Sequence, residues 1–218
     1  MKKILLALAT MGIFAMGADA SNDIFPVSTI DGKMIRFEGT DGGVVTSPYQ
    51  GKIVFIEFWG TWCGPCLLSI PHHVELQDEY KDKLRIISFE TTPTVTKKEL
   101  LEYVADPSTH IDMKRVSFYL NKKAKSQAAK ESLKKPIETL EAFKASKKKI
   151  QYDTVAYADG KGFVDYIANR AQWAGFIPFL IVLDGNGNAV DMVPGMPSKE
   201  KLEEIIQRLI KDKKYGIK

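Results

Sequence analysis

The chain is poor in cysteine, and its two cysteines, Cys63 and Cys66, stand three positions apart in the stretch EFWGTWCGPC. This excludes a scaffold stapled by several disulfides, because such scaffolds need many cysteines spread along the chain. A bridge between residues so close together closes too small a loop to restrict the unfolded chain much. The scarcity of cysteine therefore favours a reactive role for the pair over a structural one.

Long hydrophobic runs are absent after residue 20, so no later segment is predicted to cross a membrane. The first residues differ, because Lys2 and Lys3 precede the uncharged stretch ILLALATMGIFAMG, and Ala18 and Ala20 stand where a signal peptidase reads. We therefore predict a signal peptide over residues 1–20 and a domain over residues 21–218, exported to the periplasm or another extracytoplasmic compartment. An uncleaved membrane anchor is the alternative, although the apolar run is short for a span.

Signatures of metal and haem binding are also missing. A zinc site would need two ligands besides the cysteines, and the nearest candidates are the neighbours His72 and His73. Adjacent helical residues point about 100° apart, so we interpret both histidines as solvated surface residues. Haem attachment needs a histidine directly after the second cysteine, where Leu67 stands. We predict neither a metal nor a cofactor.

Strand and helix patterns alternate along the chain. The run KIVFIEFW is apolar almost throughout, as in a strand buried on both faces of a sheet. It leads into the helical pattern CGPCLLSIPHHVELQDEYKDK, which Pro71 should kink or break. LRIISFE and TKKELLEYV repeat the order, with Thr96 and Glu99 as a predicted helix cap, so parallel strand pairing is expected. Short extended segments before this unit predict an N-terminal β-hairpin, and FIPFLIVLDGNGNAVDMV predicts another hairpin near the C-terminus.

A segment rich in lysine interrupts this alternation. Residues 112–149 hold twelve basic and four acidic residues, a net charge of +8 against +4 for the whole chain. Apolar residues recur in it at helical spacing: Ala129, Leu133, Ile137, Leu140 and Phe143. We predict an amphipathic helix that Pro136 divides or bends, and interpret residues from about 106 to 150 as a helical insertion. It is either a solvated helical face or a docking surface for an acidic partner or anionic lipid, and export argues against nucleic acid.

The cysteines stand where a strand pattern ends and a helix pattern begins. A thiol reacts as its thiolate, and a sulfur at a helix N-terminus faces unpaired N–H groups and the positive end of the helix dipole. We therefore predict that Cys63 attacks and that Cys66, one turn on, resolves, while Pro65 fits the first turn because it lacks an N–H. We expect Glu57, inside the apolar run, to be buried and to carry the proton of the second thiol. An exposed Glu57 on an edge strand is the alternative.

The stretch FWGTWCGPC closely resembles the active-site signature of thioredoxins, and FWGTWC resembles the TlpA/ResA group of exported thioredoxin-like proteins. Pro71 falls where that group's active-site helix is kinked, Glu57 where it keeps a buried acid, and GFIPFLIVLDGNGNAV resembles the segment that carries its cis-proline. The resemblance implies an α/β, thioredoxin-like three-layer fold with a mixed central sheet flanked by helices. It also implies a cis bond before Pro178. The residues that it places in the substrate groove are Trp62, Gly64, Pro65, Ile177 and Pro178.

The activity implied by the resemblance is thiol–disulfide exchange. The dipeptide Gly64-Pro65 matches thioredoxin, a strong reductant at about −270 mV, so we expect a monomeric, exported reductase of protein disulfides. The resemblance suggests apocytochrome c as a substrate, in cytochrome c maturation, and a membrane thiol reductase as electron donor. A periplasmic disulfide oxidase or isomerase is one alternative, and a partner-docking protein that acts through the basic insertion is another. Phe179 departs from the group, which has threonine after the cis-proline, and the Lys-rich segment has no counterpart in it.

Overall fold

The computed structural model describes residues 23–218, apart from the side chains of Asn121 and Lys123. The signal peptide predicted over residues 1–20 lies outside this range. Among the described residues, no helix combines the length and the apolar character that a bilayer span requires.

An antiparallel sheet of three strands opens the described chain: β1 (Ile24–Ser28), β2 (Met34–Thr40) and β3 (Gly43–Ser47). The turn between β1 and β2 contains Gly32, whose φ of 87° suits glycine because other residues are strained there. The predicted N-terminal hairpin is therefore present, and the second turn adds a third strand to it.

A mixed sheet of five strands forms the centre of the fold. Its strands are β4 (Ile53–Trp59), β5 (Leu84–Glu90), β6 (Asp153–Val155), β7 (Phe179–Leu183) and β8 (Ala189–Pro194). They lie in the order β6-β5-β4-β7-β8, so β4 is central, parallel to β5 and antiparallel to β7. Every residue of β4 is buried, which confirms the predicted two-sided burial of this strand.

The helices within the described range are α1 (Gly64–Glu79), α2 (Lys97–Ala105), α3 (Pro107–His110), α4 (Met113–Lys123), α5 (Gln127–Ser146), α6 (Tyr157–Arg170) and α7 (Lys199–Lys211). A 3₁₀ turn, Lys213–Tyr215, follows α7. The cap of α2 is the predicted capping box of Thr96 and Glu99. Pro71 lies inside α1 and does not interrupt it, so the helix is not broken there.

Alternate residues of β4 face two different layers. Val54, Ile56 and Phe58 pack against the N-terminal sheet and α6, whereas Phe55 and Trp59 pack on the side of α1, α2, α4, α5 and α7. The three-layer α/β arrangement is thereby confirmed. Because side chains alternate along a strand, Glu57 points to the same layer as Phe55 and Trp59, toward α1.

The Lys-rich segment is packed into this second layer. Its helices α4 and α5 contribute Val116, Leu120, Leu140 and Phe143 to the core, which confirms the predicted amphipathic pattern. The prediction that Pro136 divides the helix is wrong, because Pro136 lies inside a continuous α5 whose apolar stripe is held on the core on both sides of it. The break instead falls between α4 and α5, where the Ser126 side chain caps α5. The interpretation of the segment as an insertion stays a prediction.

Candidate functional site

Cys63 and Cys66 form a disulfide at the start of α1, with an S–S distance of 2.11 Å. Cys63 is the N-cap residue, and its Sγ accepts a hydrogen bond from the backbone N–H of Cys66 at 3.3 Å. Cys66 is completely buried, whereas Cys63 is 4% exposed and lines an open cavity of about 690 Å³. Of the two sulfurs, Cys63 therefore offers the route by which another molecule approaches the disulfide.

The two residues between the cysteines suit this position for different reasons. Pro65 lies in the first turn of α1, where no N–H is needed. Gly64 lies under α4, because a Cβ at this position would come 3.1 Å from the Cβ of Tyr119. Glycine here lets α4 lie directly against the disulfide, so the Lys-rich segment forms part of the site.

The carboxylate of Glu90, at the end of β5, holds the loop that precedes the cysteines. It accepts hydrogen bonds from the backbone N–H groups of Thr61 at 2.8 Å and Thr92 at 2.7 Å. Burial raises the pKa of Glu90, while these hydrogen bonds act in the opposite direction. The indole N–H of Trp62 donates to the hydroxyl of Thr92 at 2.8 Å, so Trp62 is also tied to this segment. Glu90 was not predicted as a site residue, although it ends an apolar strand much as Glu57 interrupts one.

Glu57 is buried, with 3% of its surface exposed, as predicted. One carboxylate oxygen, Oε1, lies 3.1 Å from the hydroxyl of Ser69, and the same hydroxyl lies 2.8 Å from the backbone carbonyl oxygen of Cys66. The Glu57 oxygen and the Cys66 carbonyl oxygen are thus two acceptors for the one hydroxyl proton of Ser69. Ser69 thereby connects the buried acid to the helical turn that carries Cys66.

His73 lies beside the same carboxylate, and its Nδ1 is 2.9 Å from Oε2 of Glu57. His73 is 1% exposed, and its Nε2 finds no hydrogen-bond partner among residues 23–218. His72 is partly buried, and burial, followed by the proximity of His73, lowers its pKa. The interpretation of both histidines as solvated surface residues is therefore wrong, because α1 is enclosed by the sheet and by α4, α5 and α7. Over the described range, no three His, Cys, Asp or Glu side chains are grouped to hold a metal ion.

The segment before β7 forms a second wall of the cavity. Ile177 lies against the loop that leads to the cysteines, because a Cβ at Gly60 would come 3.1 Å from its Cδ1. The bond between Ile177 and Pro178 is cis, and Phe176 and Ile177 line the cavity whereas Pro178 does not. Phe179 points away into the core, where its ring stacks on Trp173 at 5.5 Å. The departure from threonine at this position is thus accommodated by aromatic packing.

The cavity brings together most of the residues predicted to line a substrate groove: Trp62, Gly64, Pro65 and Ile177, with Cys63 among them. Helix α4 supplies a further wall that was not predicted, where Lys114, Phe118 and Lys122 lie on the cavity. The sequence held one signal for this wall, because Phe118 is an aromatic residue outside the apolar stripe of its helix. In the structure its side chain is 70% exposed.

Comparison with known proteins agrees with this geometry. A family model described as Thioredoxin matches residues 44–139. The thiol-disulfide oxidoreductase ResA of Bacillus thuringiensis subsp. konkukian is 36% identical over 80 residues, which cover 36% of this chain and 40% of that protein. ResA of Oceanobacillus iheyensis is 32% identical over 109 residues, 46% of this chain and 57% of that protein. The chain thus spans less than two thirds of the length of these curated relatives.

A solution structure of a thioredoxin candidate from Neisseria meningitidis superimposes with a TM-score of 0.52 at 16% identity. The superposition covers 88% of this chain and 90% of that one. The likeness concerns the fold alone. Together with the family match and the sheet topology, it shows that this chain has a thioredoxin-like fold.

Proposed function

We propose that this chain, which carries a thioredoxin-family domain, is an exported thiol–disulfide oxidoreductase that reduces protein disulfides through Cys63 and Cys66. One observation carries the proposal: the disulfide caps α1, with one sulfur on an open cavity and the other buried. Thiol–disulfide exchange needs this asymmetry, because one thiol must meet the substrate while the other completes the reaction from behind.

The reaction begins from the reduced pair. The Cys63 thiolate attacks one sulfur of the substrate disulfide, forms a mixed disulfide and expels the other substrate sulfur as a thiolate, which takes up a proton. The Cys66 thiolate then attacks Sγ of Cys63, forms the intramolecular disulfide and expels the second substrate sulfur, which is also protonated. The substrate gains two electrons and two protons, and the protein ends in the disulfide form that the structure contains. A dithiol reductant must then restore the reduced pair.

The position of Cys63 supports its role as the attacking thiol. Cys63 is the N-cap of α1, and its sulfur accepts a hydrogen bond from the backbone N–H of Cys66. The sulfur also faces the positive end of the helix dipole, and both interactions favour a thiolate. Trp62, Gly64, Pro65 and Ile177 surround it on the cavity, and Pro178 follows directly. In the proposal these residues receive the peptide segments on either side of the substrate disulfide.

Glu57 is assigned the removal of the Cys66 proton during the second step. Its burial and its connection to the Cys66 turn through Ser69 support this role. Replacing Glu57 by Gln should slow release of the mixed disulfide at least about tenfold, while the first attack by Cys63 keeps its rate. Stopped-flow tryptophan fluorescence separates the two steps, and an unchanged second step would remove Glu57 from the mechanism.

The same proposal includes the direction of electron transfer, the cellular location of the protein, its substrate and its electron donor. The dipeptide Gly64-Pro65 supports reduction rather than oxidation, and the N-terminal sequence supports export. The relatives named ResA support a protein-disulfide substrate, for which apocytochrome c in cytochrome c maturation is the specific candidate. A membrane thiol reductase is the candidate electron donor.

A trapping experiment in the native compartment tests the proposal. The Cys66→Ser variant should accumulate covalent, reductant-sensitive adducts through Cys63, because the second step is blocked. The Cys63→Ser variant is the matched control and should trap little, since Cys66 is buried. A folded Cys66→Ser protein that traps no more than the control would contradict the proposal.

A further inference from the structure

The cavity beside Cys63 is rimmed by exposed aromatic side chains. Trp62 is 52% exposed, Phe118 is 70% exposed and Phe176 is 50% exposed, and all three line this cavity. Large apolar groups that share one patch on a surface mark a place where another molecule binds. Here they come from three separate parts of the chain: the loop before α1, helix α4 and the segment before β7.

The α4 wall also carries positive charge. Lys114, Phe118 and Lys122 are spaced four residues apart, so they follow one face of the helix, and all three line the cavity. We call this set the α4 stripe. Arg115 is engaged, because its Nε lies 3.5 Å from Oδ2 of Asp112. Within the described chain no ion pair joins Lys114 or Lys122 to a carboxylate, so both charges are available to a bound molecule.

We propose that the α4 stripe is the specificity surface of the substrate groove, and that it selects protein disulfides flanked by a bulky apolar residue and by acidic residues. This inference rests on the proposed function and adds the substrate class to it. The two free lysines flank Phe118 one helical turn to each side, a pattern complementary to an acidic–apolar–acidic segment. A concave cavity of about 690 Å³ around the reactive sulfur suits a chain segment, whereas a flat membrane surface would leave it unfilled.

Three disulfide-linked peptide substrates test the charge preference. They have the same length and a phenylalanine beside the cysteine, and their flanking residues are aspartate, lysine or serine. The full-length reduced protein should reduce the aspartate peptide about tenfold faster than the lysine peptide at low ionic strength. The difference should shrink as salt approaches about 0.5 M, because exposed charges are then screened.

A charge reversal on the α4 stripe supplies the decisive variant. Lys114→Glu with Lys122→Glu should invert the preference, so that the lysine peptide becomes the faster substrate and the aspartate peptide the slower one. The matched control is Lys148→Glu with Lys149→Glu, which changes the net charge equally at exposed positions outside the cavity. The control should keep the wild-type order. Since one peptide gains rate while another loses it, a folding defect cannot imitate this result.

The apolar part of the stripe is tested through Phe118→Ala, a replacement that favours the helix. It should raise KM about tenfold for the phenylalanine peptides and much less when glycine replaces that phenylalanine, since burying one aromatic side chain is worth about that factor. Met34→Ala, at a residue 58% exposed outside the cavity, should alter neither.

The outcomes separate this inference from the function on which it rests. Equal rates for all three charged and neutral peptides would overturn the specificity surface while leaving the oxidoreductase intact. No reduction of any peptide would overturn both. If the Lys114/Lys122 reversal leaves peptide rates unchanged and instead weakens binding to vesicles with about 30% phosphatidylserine, the stripe binds a membrane and the inference is wrong.

Discussion

At the scale of single residues, the pair of Glu57 and His73 most clearly connects stability with the site. Each side chain is less than 5% exposed, and their nearest atoms are 2.9 Å apart. Removing one member of a buried pair leaves the other without compensation, which costs more than removing both.

His73→Leu should therefore destabilise the folded protein by about 3 kcal/mol, measured from the midpoint of urea unfolding. The double variant Glu57→Leu/His73→Leu should recover most of that loss, because no unpaired carboxylate remains. His72→Leu, on the partly buried neighbour, serves as the control and should change stability by less than about 1 kcal/mol. If the double variant loses as much stability as the Glu57→Leu and His73→Leu variants lose together, the two side chains are not coupled.

Glu90 gives the chain a dependence of stability on pH. Burial raises the pKa of Glu90 above the ordinary value of 4.5. Between the pKa of the unfolded state and that of the folded state, the folded protein therefore keeps a proton that the unfolded chain has released. The resulting stabilisation is complete below pH 4.5 and declines as pH rises through the raised pKa of the folded state. As pH rises above 4.5, the free energy of unfolding should therefore fall more steeply for the wild type than for Glu90→Gln. Parallel curves for the two proteins would contradict this account.

The residues of the site differ in how far sequence alone could identify them. Cys63, Cys66 and Glu57 lie within ten consecutive residues, so a strand pattern followed by a helix pattern was enough to place them. The burial of His73 was missed because α1 is buried around most of its circumference and leaves no polar face in its pattern. Glu90 and Phe118 reach the site only through the pairing of β5 with β4 and the packing of α4 on α1, which are contacts distant in sequence.

At the scale of whole elements, α4 and α5 are structural parts of the domain. Leu140, fully buried in α5, packs in the same core as the residues of α1 and α2. Leu140→Ala should therefore lower the free energy of unfolding by about 3 kcal/mol, the usual loss when a buried leucine leaves a cavity. Lys130→Ala, on the exposed surface of the same helix, should change it by less than about 0.5 kcal/mol. Similar losses for both variants would mean that α5 is not packed on the core.

Elements with a clear local sequence signal could be predicted, whereas elements whose shape depends on tertiary packing were harder to predict. The apolar run of β4 and the capping box of α2 identified their elements because burial and backbone capping are both encoded locally. Pro136 does not divide α5, since core contacts of the α5 stripe hold the helix despite the lost backbone hydrogen bond. Packing of this kind has no signature in a window of a few residues.

At the scale of the whole molecule, the candidate site is an edge where separate layers meet. The central sheet supplies Glu57 and Glu90, α1 supplies the disulfide, and α4 and the segment before β7 supply the two walls of the cavity. In the proposed function, the chemistry is thus carried by the centre of the fold, and the Lys-rich segment contributes the proposed recognition surface. Such a division allows one exchange reaction to serve different substrates.

The reduction potential of the Cys63–Cys66 couple tests the central claim, which is that this protein is a disulfide reductant. Equilibration of the full-length protein with glutathione redox buffers, followed by quantification of free thiols, measures it directly. The account predicts a value below about −200 mV, toward the −270 mV of thioredoxin, because the dipeptide between the cysteines is Gly64-Pro65. A value above about −150 mV, in the range of strong oxidants such as DsbA, would contradict it.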